Sequence, residues 1–127
     1  MRLISKLLHY SLALSAWKQH THSQTTLRVN PSSGNLHPTE AYLLLPPTMC
    51  GDDSLAQLCH YAADVHGLEQ RVAIPAAAWQ KLAGDLPAQS VFLLLTSVSW
   101  RESWKYGLRA YRYCQLDLGH VIKAITL

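Results

Sequence analysis

Two stretches of this chain carry side chains that could do chemistry together. The first is Arg28-Val29-Asn30-Pro31-Ser32-Ser33-Gly34-Asn35-Leu36-His37-Pro38-Thr39-Glu40, running into the apolar Ala41-Tyr42-Leu43-Leu44-Leu45. Ser-Ser-Gly-Asn after a proline can point backbone N–H groups and short side chains into one concavity, which suits an anion or a polar ring edge. Arg28 adds a planar fork of donors that matches phosphate or a carbonyl-rich ligand. The same residue types also occur in a plain surface loop. The second stretch is Trp100-Arg101-Glu102-Ser103-Trp104-Lys105-Tyr106-Gly107-Leu108-Arg109-Ala110-Tyr111-Arg112-Tyr113, followed by Asp117-Leu118-Gly119-His120. It sets cations among aromatic rings, with Lys105-Tyr106 as an adjacent amine and phenol.

In this order the two blocks resemble the nitroreductase-like flavoproteins. The closer likeness is to the SagB-type, or thiazole/oxazole-forming, dehydrogenase branch. The first block reads as Arg-x-x-Pro-Ser-x-Gly-x-x-x-Pro-x-Glu-x-Tyr, and the second as Trp-Arg-x-x-x-Lys-Tyr-Gly-x-Arg-x-Tyr-Arg-Tyr with a following Asp-x-Gly-His. The resemblance spans about residues 25 to 127, and the pair of motifs is far more specific than either alone. It implies an α+β nitroreductase-like fold with helices packed around a central mixed sheet, and FMN as cofactor. It also implies oxidation of azoline heterocycles to azoles in peptides, or reduction of a small acceptor. Arg28, Ser32, Ser33 and Asn35 are the implied flavin contacts. Arg28 would balance phosphate charge, Ser32 and Ser33 would donate to phosphate or ribityl oxygens, Asn35 would bond the ring edge, and Gly34 would let the backbone come close. Ser32 and Ser33 equally suit a cap or a turn.

Lys105 and Tyr106 are the catalytic pair the resemblance implies. Removing a proton from carbon needs a base whose pKa lies near the working pH. Desolvation and the cations Arg101 and Arg109 would both push the Lys105 amine toward neutrality, and Tyr106 would hold the proton-transfer partner. The opposite reading has Lys105 solvated and Tyr106 in the core. Many SagB-type proteins carry an aromatic or apolar residue where Leu36-His37 stands, so His37 either faces the flavin or caps the next turn, the cap being favoured. Glu40 and Tyr42 lie on a buried element and read as internal partners. Arg109 and Arg112 are read as pairing with Glu102 and Asp117, and Asp117 with His120 as a structural pair one helical turn apart. Trp100 and Trp104 wall either a pocket or the core.

The elements that must position these groups follow from pattern and bulk properties. At 127 residues the chain is at most one domain, and 49% hydrophobic against 15% charged residues exclude a disordered polymer. It reads as a single part, residues 1–127, of a nitroreductase-like domain, with an N-terminal helix in 1–20 and a flavin-loop and sheet region in 25–127. Family members continue well past the Asp-x-Gly-His motif, and an Arg-rich opening is not visible in residues 1–26. The chain therefore reads as a truncated version, or as one half completed by a second chain, and a homodimer or complementing half-domain is the expected partner. A non-catalytic remnant or partner-binding module that keeps the fold without flavin is the alternative.

A helix is expected from about Leu3 to Lys18, then a polar loop from Gln19 to Thr26. A helical turn should start near His37-Pro38, a buried strand should cover Ala41–Leu45, and Cys50 to Ser54 should turn. Short strands are expected at 58–61 and 68–71, and a helix over 75–83 ended by Gly84. Val91–Ser97 reads as a strand buried on both faces, and a last helix begins near Arg109. The net charge of +3 is spread out, which argues against nucleic acid. No run is long enough to span a bilayer. Cys50, Cys59 and Cys114 are an odd, scattered set that reads as reduced cytoplasmic thiols, neither disulfides nor a zinc site. His20-x-His22 lacks Cys or carboxylate partners, so no metal site is expected.

Overall fold

In the computed structural model, which describes residues 1–19, 21–51 and 53–127, the chain divides by contact into two units. One holds residues 1–40, 63–66 and 96–127, and the other 41–62 and 67–95. The class is α+β, as the sequence implied.

In the first unit, Leu8 and Leu12 stand one helical turn apart and are buried with Ser11 in α1 (Arg2–Leu12). The helix stops at Ala13, whose backbone is extended and whose carbonyl accepts Val29 N–H at 3.0 Å. The chain then runs as β1 (Leu14–Gln19) and returns antiparallel as β2 (Gln24–Arg28). This corrects the expected helix to Lys18 and the expected loop to Thr26. Leu14 and Trp17 fall at helical spacing from Leu3 and Leu7, yet Trp17 is 61% exposed. The spacing there was no burial pattern, and the β ladder decided the local structure.

Two helices close this unit: α4 (Trp100–Tyr106), ended by Gly107, and the long α5 (Ala110–Thr126), with a short 3-10 turn between them. Every fourth or third residue of α5, namely Ala110, Cys114, Asp117 and Val121, is buried. Both α1 and α4 pack against α5.

The second unit is a sheet with its covering helices. Its strands β3 (Thr39–Leu45), β4 (Leu55–Ala62), β5 (Gly67–Pro75) and β6 (Phe92–Ser97) lie in the order β5-β4-β3-β6. The pairs β3–β4 and β4–β5 are antiparallel, with Leu43 opposite Cys59 and His60 opposite Glu69. Between β3 and β4, α2 (Pro47–Cys50) opens with proline in its first turn and ends at Gly51 in the left-handed region. Helix α3 (Ala76–Ala83) brings Trp79 and Ala83 onto Leu44 and Ala56, with Leu58, Ile74 and Phe92 around them. Trp79 meets Phe92 edge to face at 5.4 Å.

The strands expected at 58–61 and 68–71 are present and longer, and α3 matches its expected span. Strand β6 differs in burial: Leu94 is 43% exposed. Its place at the end of the sheet order, not its composition, sets this. The other end strand, β5, is protected by charge, with Glu69 accepting from Arg71 at 2.6 Å and meeting His60 Nδ1 at 3.0 Å.

Candidate active site

Both motifs of the sequence meet within the first unit. The loop after β2 turns through a 3-10 segment, Ser33–Asn35, in which Gly34 and Asn35 have positive φ (61° and 60°). Gly34 can take that conformation without strain, and Asn is the side chain that tolerates it best. A Cβ built on Gly34 would come within 2.5 Å of the Tyr106 hydroxyl and 2.6 Å of Lys105 Nζ. The amine and the phenol from α4 therefore lie directly over the apex of the Arg28–Asn35 loop. Gly34 and Lys105 are exposed, and Tyr106 is half-buried against Tyr113, ring centroids 4.4 Å apart. The desolvation expected at Lys105 is not provided by the described residues.

What holds the loop is a carboxylate 84 residues away. Asp117 of α5 is 1% exposed and faces back into the loop. Ser32 Oγ donates to its Oδ2 at 2.7 Å, Ser33 Oγ donates to Oδ1 at 2.9 Å, and Ser33 N–H donates to both oxygens at 3.0 and 3.1 Å. Ser32 Oγ also accepts His37 N–H at 2.8 Å. Asn35 donates through Nδ2 to Thr26 O at 2.7 Å, and its Oδ1 meets His37 Nε2 at 2.7 Å. That oxygen is an acceptor, so the imidazole carries its proton on Nε2. Burial, followed by the charge of Arg28, lowers the His37 pKa from 6.5 to about 4, which keeps the ring neutral.

The helical turn expected at His37-Pro38 does not form. His37 takes φ 47° and folds its ring back on Asn35. Arg101 fixes the exit of the loop, donating to His37 O at 2.8 Å and pairing with the buried Glu40. Glu40 is thus an internal partner, as expected, and Tyr42 packs on His60. Arg101 serves the loop, not the Lys105 amine.

Asp117 was expected to pair along its own helix. It pairs with the serines because the loop amide and hydroxyls reach it where the exposed His120 does not. Glu102 is 0% exposed, and neither carboxyl oxygen has a hydrogen-bond partner among the described residues. Burial, then the charge of Asp117, raises its pKa above the ordinary carboxyl value. Trp100 and Trp104 line no core; both are exposed, as are Leu108 and Tyr111. Cys114 is buried, and its thiol is pushed up by burial, Glu102 and Asp117, which makes it a poor nucleophile. Among the described residues no group of three His, Cys, Asp or Glu could hold a metal ion. His20, of the His20-x-His22 pair, lies outside them. No helix among them is long and apolar enough to cross a membrane.

The donor set bears on what this site could hold. Ser32 and Ser33 turn their hydroxyl hydrogens to Asp117, so toward a ligand they offer oxygen lone pairs. Such pairs suit ribityl hydroxyl donors and are poor partners for phosphate oxygens. Among the cations around the loop, Arg28 suits the phosphate end, Arg101 holds the loop exit, and the Lys105 amine stands at the Gly34 apex. The bare Cα of Gly34 lets the amine and phenol come close to the loop backbone, where a Cβ would collide with them. These residues fit a flat, anionic ligand such as a flavin nucleotide, with the serine roles changed from donors to acceptors.

The chain is α+β, and comparison with known structures finds the nitroreductase fold. A candidate nitroreductase from Anabaena variabilis superposes with a TM-score of 0.82 at 29% identity, over 98% of this chain and 26% of that one. The McbBCD microcin synthetase complex of E. coli, solved with truncated pro-MccB17 bound, gives a chain that superposes at 0.70 with 21% identity, over 98% of this chain and 47% of that one. The chain thus spans about a quarter of the first and just under half of the second. No protein-family model matches it, and no curated protein sequence does. The nitroreductase-like resemblance read from the two motifs is supported by the first of these likenesses, and the second shows the fold alone.

Proposed function

We propose that the chain carries the flavin loop and catalytic pair of an FMN-dependent oxidoreductase of the SagB-type dehydrogenase branch, acting on azoline rings in peptides. The observation that carries this reading is the convergence of Lys105 Nζ and the Tyr106 hydroxyl on Gly34. FMN, when bound, would supply the hydride acceptor. Lys105, as the free amine, takes the proton from the ring carbon onto Nζ. Tyr106 orients that amine, its ring fixed by Tyr113. Arg28 balances phosphate charge, Ser32 and Ser33 accept from ribityl hydroxyls, and Asn35 keeps the loop shaped through Thr26 and His37.

The likeness to a chain of a synthetase complex solved with a peptide bound favours a peptide heterocycle over a small acceptor. The exposed row Trp100, Trp104, Leu108 and Tyr111 favours a second protein surface, either another copy or a complementing chain. A cytoplasmic setting, expected from the odd and scattered cysteines, belongs to this reading.

The test is FMN titration of the folded chain, following fluorescence quenching and oligomeric state together. Saturable binding that Arg28→Ala weakens, with azoline turnover lost in Lys105→Ala, is the expected result. A folded chain that leaves FMN fluorescence unchanged at high concentration rejects this function. The exposed aromatic row would then favour a partner-binding module that keeps the fold without flavin.

A further inference from the structure

We infer that Asp117 is a positioning residue for the site, and that Ser32 and Ser33 serve it by their bonds to Asp117 before any bond to a ligand. The inference rests on the flavin reading above for its functional half and on geometry alone for its structural half. Asp117 receives all the hydrogens that Ser32 Oγ, Ser33 Oγ and Ser33 N–H can give. Such charge-assisted bonds to a 1% exposed carboxylate are short and directional. Ser32 Oγ passes the constraint on by accepting His37 N–H. The turn is thereby pinned on both sides of Gly34, where an added Cβ would lie within 3 Å of the Lys105 amine and the Tyr106 hydroxyl. A shift of the loop by about an ångström would push the apex into that pair or withdraw it, and misplacement of this size is costly to a site built on alignment.

Asp117→Asn keeps the shape but turns one acceptor oxygen into a donor that faces the serine donors. Its effect separates from direct ligand contact by a double-mutant cycle. If Ser32 and Ser33 act through Asp117, Asp117→Asn and the double variant Ser32→Ala/Ser33→Ala each weaken FMN binding on the order of tenfold or more. Combined, they do little more than either alone. Ser33→Thr, which keeps the hydroxyl, restores binding. A flavin-independent readout accompanies this: the Ser33 amide, protected from hydrogen exchange in the parent chain, loses protection in Asp117→Asn, whereas amides of the β4–β5 ladder keep theirs.

Additive losses of FMN affinity, or a Ser33 amide that exchanges no faster in Asp117→Asn, overturn the inference. Failure of the parent chain to bind FMN rejects the proposed function only, and the amide readout still decides the positioning claim. If Asp117→Asn does not fold, Ser33→Ala against Ser33→Thr carries the same comparison.

Discussion

The two units are held together by different physics. The sheet unit stands on apolar contact: Trp79 and Ala83 pack on Leu44 and Ala56, beside the consecutive antiparallel strands β3, β4 and β5. The site unit buries polar groups at its centre, and their partners lie far apart in the chain. Ser32 meets Asp117 across 85 residues, and Arg101 meets Glu40 across 61. Apolar burial is non-directional and tolerates small shifts. Buried polar bonds fix one geometry and are costly when half-made. A scaffold can be built in the first way; a loop that must hold an amine and a phenol over a glycine needs the second.

That contrast should be sharpest when each centre is cut. Trp79→Ala removes the largest ring from the sheet core and should destabilise by about 3–5 kcal/mol. Chemical denaturation would show a lower midpoint with loss of β structure, and a midpoint within a few tenths molar of the parent would refute the assignment of Trp79 as the core's centre. Arg101→Ala leaves the buried Glu40 carboxylate and the His37 carbonyl without their cation. The expected loss is about 2–3 kcal/mol, since Arg101 is itself partly exposed. Its distinguishing sign is partial rescue by Glu40→Gln in the same chain, because the uncompensated charge is then gone. Absence of any rescue would mean that the pair is not what holds the loop exit.

The same contrast explains what could be read from the sequence. Apolar runs with turn residues between them announced the strands from β3 to β6 and helix α3, because pattern and local propensity agreed there even where burial, as in β6, did not follow. The loop was legible as a site because Pro31, Ser32, Ser33, Gly34 and Asn35 are turn formers in an unusual concentration. Its clasp was not. Asp117 has the ordinary look of a helix residue one turn from His120, and nothing local says that its carboxylate faces a serine pair 84 residues earlier. A cue did exist: Asp117 falls on the apolar face marked by Cys114 and Val121, where an acid needs donors from another element. The β1–β2 hairpin was missed for a different reason. Its first strand is almost wholly exposed and its second only half-buried, so hydrophobic spacing carried little information about them.

A smaller perturbation probes the fit at the apex. Gly34→Ala must place Cβ where the Lys105 amine and Tyr106 hydroxyl now lie, in a backbone conformation that costs an L-residue about 1–2 kcal/mol. Both obstructing groups are side-chain ends and can move aside, so the chain should stay folded while the pair is displaced. Loss of flavin binding out of proportion to the small stability change is the expected outcome. Gly51, also in the left-handed region but with open space around it, is the control: Gly51→Ala should cost similar stability and leave binding intact. Equal effects of the two variants on binding would remove the special standing of Gly34.

The mildest test is pH, and it should touch only the polar unit. His37 has its pKa lowered to about 4 by burial first and by Arg28 next, so the folded state favours the neutral ring. Its contribution to stability is present above pH 6.5 and is lost as pH falls from there toward about 4. Glu102 runs the other way. Burial first, and Asp117 next, raise its pKa, so its contribution is complete below its ordinary value of 4.5 and is lost as pH rises through the folded value. His37→Asn, in which the new side chain tolerates the positive φ, should flatten the acid side of the stability profile. Glu102→Gln should flatten the decline at higher pH and stabilise the chain near neutrality. Hydrogen exchange followed across pH should place both effects at amides such as Ser33, with Leu44 unchanged. If the two variants reproduce the parent profile on both sides, neither group titrates with folding. The polar unit would then be held by its hydrogen bonds without any linkage to protons.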